Sequence, residues 1–276
     1  MTPPLDALAA HAEKLPSLPE VVSYLMRTLS DDNADVDTIA QRINADPAIV
    51  TRLLAAANSA ASGLSTRIHS AKQAFMVLGA DRVQNIVLAL ALAYRYDLRG
   101  SGFDSHLLWR HSVGVATCAQ VLAEQLGLNP GIAYTAGLVH DIGQLLMHIA
   151  SPKDYMAAQV AHDVGTPLIV AERERFGYDH GEAGRALASH WRLPGAIVDA
   201  IAAHHEPDAY SSETGDLIHV SEVLSHALDL GQFPGNRVPD LSELACANLG
   251  LAWPKIAASF GEIEARYEAL RYALGI

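Results

Sequence analysis

The chain has 276 residues, half of them hydrophobic, 6% aromatic, and 46 of them alanine. This length fits one large or two small domains with ample apolar material for a core, a balance opposite to that of disordered chains. The formal net charge of −12 is unevenly placed, since residues 1–100 carry 9 Lys/Arg against 10 Asp/Glu while the rest carry 10 against 21. An acidic second half repels polyanions, so no nucleic-acid partner is expected. The longest run free of charged residues, Gln125–His140, is interrupted by Asn129-Pro130-Gly131. It falls short of the roughly 20 apolar residues that span a bilayer, so no membrane association is expected. The start, Met1-Thr2-Pro3-Pro4-Leu5-Asp6, lacks the basic and apolar regions of a secretory signal, and Cys118 and Cys246 are too few for a disulfide framework. Both features point to the reducing cytoplasm.

Taken in chain order, the segments read as helices. Val36, Ile39, Ala40 and Ile43 follow the i, i+3, i+4, i+7 spacing, as do Ala71, Ala74, Phe75 and Leu78. Val83–Tyr94 is apolar nearly all round, which predicts a buried central helix. Starts are signalled at Asp46-Pro47, Asn129-Pro130, Ser151-Pro152 and Thr166-Pro167, where a capping side chain precedes a proline whose missing N–H costs nothing. Capping boxes are expected at Ser70…Gln73 and Asp81…Gln84, and helix ends at Gly79 and Gly127. Leu98-Arg99-Gly100-Ser101-Gly102 marks a boundary before Asp104 caps the next helix. Past Phe233-Pro234-Gly235-Asn236 the pattern returns to helix from about Asp240, and Trp253-Pro254 starts a last helix ending near Leu274. No strand or hairpin signal is evident, so the fold class is all-α.

Eleven of the 13 histidines lie between His106 and His226. Among them, Gly137-Leu138-Val139-His140-Asp141-Ile142-Gly143 carries the most chemistry. Adjacent residues on a helix point about 100° apart, yet a metal over that edge is reached by both. Imidazole nitrogen with carboxylate oxygen is a donor set suited to iron, manganese or zinc. Without a metal, a carboxylate buried on so apolar a segment would cost several kcal/mol. Further candidates are His111, early in the preceding long helix, His180 near a helix start, His204 and His205 closing an apolar helix, and Glu222. His148, His162, His190, His219 and His226 are assigned no chemistry.

The order His111, His140-Asp141, His180, His204-His205 resembles the HD superfamily of metal-dependent phosphohydrolases, including the HD-GYP phosphodiesterases. The nearer likeness is to the HDOD family, the HD-related output domain. It rests on Leu15-Pro16-Ser17-Leu18-Pro19-Glu20, on Asn44-Ala45-Asp46-Pro47 with Leu53-Leu54-Ala55-Ala56-Ala57-Asn58-Ser59, and on Ile68–Leu90 with Leu78-Gly79 and Arg82-Val83. The resemblance implies an N-terminal helical bundle (residues 6–100) packed on an HD-like bundle (residues 104–230), with residues 231–276 a helical extension. It implies a bacterial regulatory protein that acts through contacts with signalling proteins rather than as an enzyme. One or two divalent ions (Fe, Mn or Zn) would be held by His111, His140, Asp141, His180, His204, His205 and Glu222. The alternative is a metal-dependent phosphohydrolase of nucleotides or cyclic dinucleotides, and a nucleotide ligand is admitted in either case. Gln144 replaces the lysine that follows Asp-Ile-Gly in the HD-GYP pattern, and Pro207-Asp208-Ala209-Tyr210 stands where that pattern has its Gly-Tyr-Pro loop. Both departures favour the regulatory expectation.

Overall fold

Alanine-rich, strongly punctuated sequence gives one helix after another in the computed structural model, which describes residues 4, 5, 8, 20–28, 36–60, 68–95, 98, 101–232 and 236–275. The helices are α1 (Glu20–Thr28), α2 (Val36–Asn44), α3 (Pro47–Ala60), α4 (Ala71–Leu78), α5 (Ala80–Arg95), α6 (Ser105–Leu126), α7 (Pro130–Val139) and α8 (Ile142–Ala150). They continue with α9 (Pro152–Asp163), α10 (Leu168–Phe176), α11 (His180–His190), α12 (Gly195–Ala203), α13 (Glu213–Ala227), α14 (Glu243–Asn248), α15 (Trp253–Ala258) and α16 (Phe260–Leu274). Among the described residues there is no strand, as the all-α reading requires. No described helix is long and apolar enough to cross a membrane. The Leu15–Pro19 block, the Arg99-Gly100 part of the expected boundary and Phe233-Pro234-Gly235 lie outside the described residues.

Several caps form where the sequence places them. Asp46 Oδ1 accepts from Ile49 N at 3.2 Å, Asn129 Oδ1 from Ile132 N at 2.9 Å and Asp104 Oδ1 from Leu107 N at 3.0 Å. Ser70 Oγ accepts from Gln73 N, while the Gln73 side chain reaches back one residue further than expected, to His69 N. Gly79 and Gly127 end their helices at φ 83° and 73°. Other starts differ. Ser151 Oγ donates to Asp154 Oδ2 at 2.6 Å and accepts from no first-turn N–H, so it does not cap α9. Leu168 begins α10, so Pro167 precedes that helix instead of opening it. Asp81 lies inside the first turn of α5, which starts at Ala80, and forms no box. The predicted last helix is two, α15 and α16, separated at Ser259, whose hydroxyl donates to Ile256 O and stays buried at the break.

The core runs without interruption through the helices. Val83 and Ile86–Leu92 of α5 are buried, and each such Leu or Val contributes about 1.5–3 kcal/mol by leaving water. On one side α5 packs on α1, α3 and α4, and on the other on α6 and α7. The last helix, α16, lies on α3, α5 and α6, so the end of the chain braces the early helices against the long central one. Around α6, helices α7 and α13 pack along its length, α12 closes on α7 and α13, and α11 is held between α8 and α12. At Gly137 a Cβ would come 2.7 Å from Ala116 Cα, so only glycine lets α7 lie against the backbone of α6. That contact brings the end of α7, with His140, beside His111 on α6.

Candidate metal centre

His140 and Asp141 do not occupy one continuous helix. Val139 ends α7, His140 is its cap, and Asp141, at φ −96° and ψ 10°, opens α8. The expected 100° divergence is therefore replaced by a bend that turns both side chains to the same interior. There Asp141 Oδ2 lies 3.4 Å from His140 Nε2 and 3.8 Å from His111 Nε2. Its Oδ1 lies 3.1 Å from His180 Nε2 and 3.6 Å from His204 Nε2. One carboxylate thus faces four imidazoles, two to each oxygen. His205 Nε2 approaches His180 Nε2 to 2.7 Å, and His205 Nδ1 is 3.9 Å from Glu222 Oε1.

Three of the imidazoles are aimed from behind. His140 Nδ1 donates to Gly137 O and His204 Nδ1 to Ile201 O, both at 2.8 Å. A carbonyl only accepts, so the proton sits on Nδ1 and the Nε2 lone pair faces inward. Those two Nε2 atoms are buried with no hydrogen-bond partner, the condition expected of ligand atoms rather than of core histidines. His180 opens α11 behind a capping box in which Asp179 accepts from Glu182 N and Glu182 from Asp179 N. Its Nδ1 donates to Glu172 Oε2 at 2.6 Å, and the same oxygen accepts from His180 N at 3.0 Å. His219 supports the His204 turn, donating from Nδ1 to His204 O and accepting at Nε2 from Ser242 N.

All seven candidate residues converge. Ligand atoms lie within 4.8 Å of one another in four overlapping groups: Asp141, His180, His204 and His205; His111, His140 and Asp141; His111, Glu222 and His226; and His140, His204 and Glu222. Of the seven, only His205 is appreciably exposed, its side chain 29% accessible. Unpartnered inward nitrogens, a buried central carboxylate and a mixed N/O donor set fit a metal, whose identity the donor set leaves among iron, manganese and zinc.

Burial penalises the imidazolium form and holds His111, His140 and His205 below their ordinary 6.5, the neighbouring imidazoles adding to this for His111 and His205. Burial opposes charge at His180 too, but Glu172 and Asp141 on either side outweigh it and raise its pKa. Burial would likewise raise Asp141, yet His140, His180 and His204 hold it below the usual carboxylate value. Below about pH 6.5 the unfolded chain takes up protons that the three depressed histidines refuse, so stability from them is lost as pH falls. His180 acts oppositely, its contribution being complete below about 6.5 and lost only as pH rises through its raised value. With three groups against one, the chelated protein is expected to melt at lower temperature at about pH 5.5 than at about pH 7.5, measured by circular dichroism.

Two participants were not legible beforehand. Glu172 lies in the charged run Glu172-Arg173-Glu174-Arg175, which reads as a solvated face. It is nevertheless fully buried, and with Leu168, Ala171 and Phe176 it occupies the i, i+3, i+4, i+8 stripe that α10 turns inward. That phase was the available signal. His226, read as uninvolved, sits one turn after Glu222 on α13 with its Nδ1 on Asn236 Oδ1 at 2.7 Å. Gln144 Oε1 accepts from Tyr155 OH at 2.8 Å. Replacing Glu172 with Gln should weaken binding of the ion held through His180 by 10–100-fold and leave a His111-side ion in place, read as loss of one of two sites in a metal titration.

An all-helical bundle with a His-Asp pair at a helix break and histidines converging from four further elements defines a domain of the HD superfamily. The chain belongs to the HDOD family, whose domain matches residues 15–207. It is 27% identical over 239 residues to a protein of Treponema pallidum that bears no functional name, covering 84% of this chain and 46% of that one. It is 31% identical over 165 residues to ribonuclease Y of Thermus thermophilus, covering 58% of this chain and 23% of that one. The chain thus spans less than half the length of these curated relatives. Among solved structures, an HDOD domain protein of unknown function from Geobacter sulfurreducens superposes with TM-score 0.75 at 25% identity, covering 98% of this chain and 97% of that one. A protein from Shewanella amazonensis gives 0.77 at 24% identity, covering 97% and 98%, and carries the fold alone.

Proposed function

We propose that the protein is a metal-binding HDOD regulatory protein whose buried cluster holds a pair of divalent ions and whose output runs through contacts with signalling proteins. His111, His140, Asp141 and Glu222 would hold one ion, and Asp141, His180, His204 and His205 the other. The observation that carries the metal reading is the pair of buried, unpartnered Nε2 atoms of His140 and His204, preset on either side of Asp141. Bound divalent ions of this kind supply an activated water and neutralise phosphate charge. This chain's own residues support regulation over turnover. Gln144 brings no cation to the site and is engaged by Tyr155. Arg173, the cation near His180, is committed to Asp179 Oδ2 at 2.6 Å and to both oxygens of Glu206 at 3.0 and 2.7 Å.

A second reading, hydrolysis of a phosphodiester, is favoured by one feature. The two oxygens of Asp141 face separate histidine pairs, the disposition of a carboxylate that bridges two ions. The relative named ribonuclease Y points the same way. Metal analysis of the whole protein with a phosphodiester assay on the same sample separates the readings. Two bound ions without turnover support the regulatory proposal, while turnover that disappears in His140→Ala supports the hydrolase. A protein purified and reconstituted without any metal overturns both.

A further inference from the structure

We propose that the cleft between α5, α6 and α16 binds a nucleobase-type ligand, a flat heterocycle with an amide-like donor and acceptor side by side and a single phosphate. The cleft holds about 420 Å3, within the roughly 300–1,000 Å3 usual for small-ligand sites. None of its lining residues belongs to the histidine cluster, so it is a separate site.

Its floor is polar although its depth is apolar. Asn85 of α5 and Gln120 of α6 are each less than a tenth exposed and are joined by one bond, Asn85 Nδ2 to Gln120 Oε1 at 3.1 Å. Among the described residues Asn85 Oδ1 and Gln120 Nε2 meet no protein partner, which leaves one acceptor and one donor beside each other where the two residues line the cleft. Exchanging oxygen and nitrogen in both amides leaves the same pair, so this complement does not depend on how the amides are oriented. An occupant that replaces water at both of these must present an acceptor and a donor side by side, as the edge of a nucleobase does. Leu78, Ile86 and Leu270 supply the apolar walls for a ring.

The rim selects the substituent. Arg82, in the first turn of α5, is exposed and meets no partner among the described residues, and its helix end favours an anion. The other rim cation, Arg266, is already held by both oxygens of Glu124 at 2.8 and 2.7 Å and by Glu262. With Asp81 and Glu124 on the same rim, one phosphate is better matched than a chain of them.

Isothermal titration of the full chain with the four nucleoside 5′-monophosphates tests the site. At least one is expected to bind with one-to-one stoichiometry and Kd below about 1 mM. Asn85→Leu and Gln120→Leu should each weaken it at least about tenfold, and Arg82→Ala should weaken the nucleotide but not its nucleoside. Ala269→Trp, on the exposed face of α16, fills the cleft without touching the amides and should abolish binding even if the leucine variants fold poorly. Asp141→Asn should leave the affinity unchanged. Absence of binding by all four nucleotides, binding indifferent to Ala269→Trp, or binding lost in Asp141→Asn would overturn the proposal, the last by moving the nucleotide to the metal centre.

Discussion

Gly143→Ala is expected to lower the melting temperature by roughly 6–12 °C and to remove metal binding on the His180 side in the same step. An added Cβ at this position would overlap the carbonyl oxygen of His180 and lie 2.7 Å from the amide nitrogen of Gly184. Both obstacles are backbone, so no rotamer change relieves them, and α8 must move off α11. Overpacking of a close-packed interior costs about 1–3 kcal/mol when side chains give way, and this site falls at or above the top of that range. The displaced element is the one that carries His180, whose Nε2 would leave its 3.1 Å approach to Asp141 Oδ1. Gly195→Ala is the control, because nothing lies within 4 Å of a Cβ there and its φ is ordinary. It should melt within a degree or two of the parent, or slightly above it, alanine being the better helix former. A Gly143→Ala protein with parental melting temperature and full metal content would refute the close approach of the two helices.

That glycine shows where sequence reading stops. The string His140-Asp141-Ile142-Gly143 was legible as a metal motif, but the reason for its last residue lies across space, in the carbonyl of His180. The helical class, the caps at Asp46, Asn129 and Asp104, and the buried Val83–Leu92 segment follow from local spacing and local hydrogen bonds, which the sequence displays directly. The convergence of His111, His180 and His204 on Asp141 rests on helix packing, and was legible only through resemblance. Glu172 and His226 were hidden for different reasons. A glutamate beside Arg173 reads as surface until the helix phase is counted, and a histidine gains meaning only from the Asn236 that orients it. Ser151 and Asp81 do not cap: the Ser151 hydroxyl is turned to Asp154, a side-chain orientation that residue type alone leaves open, and α5 already begins at Ala80, ahead of Asp81.

Asp141→Asn should reduce bound metal to background while leaving the helical content intact. The amide has the carboxylate's shape, so the packing around it is preserved and the change isolates charge. Asp141 is the one residue common to the group with His111 and His140 and the group with His180, His204 and His205. Loss of its charge therefore removes both ions, whereas Glu172→Gln acts through His180 and removes one. In the parent protein, added metal should stabilise the native state by mass action, about 2.7 kcal/mol at a hundredfold excess over Kd, which for this chain length is roughly 5–10 °C. The Asp141→Asn protein should show no such rise, and a chelator should shift the parent down to meet it. Equal stabilisation of both proteins by metal would mean that the ions sit elsewhere, and the four imidazoles around Asp141 would then be a buried hydrogen-bonding network. The unpartnered Nε2 atoms of His140 and His204 speak against that outcome, because such a network would have left their lone pairs with a donor to meet.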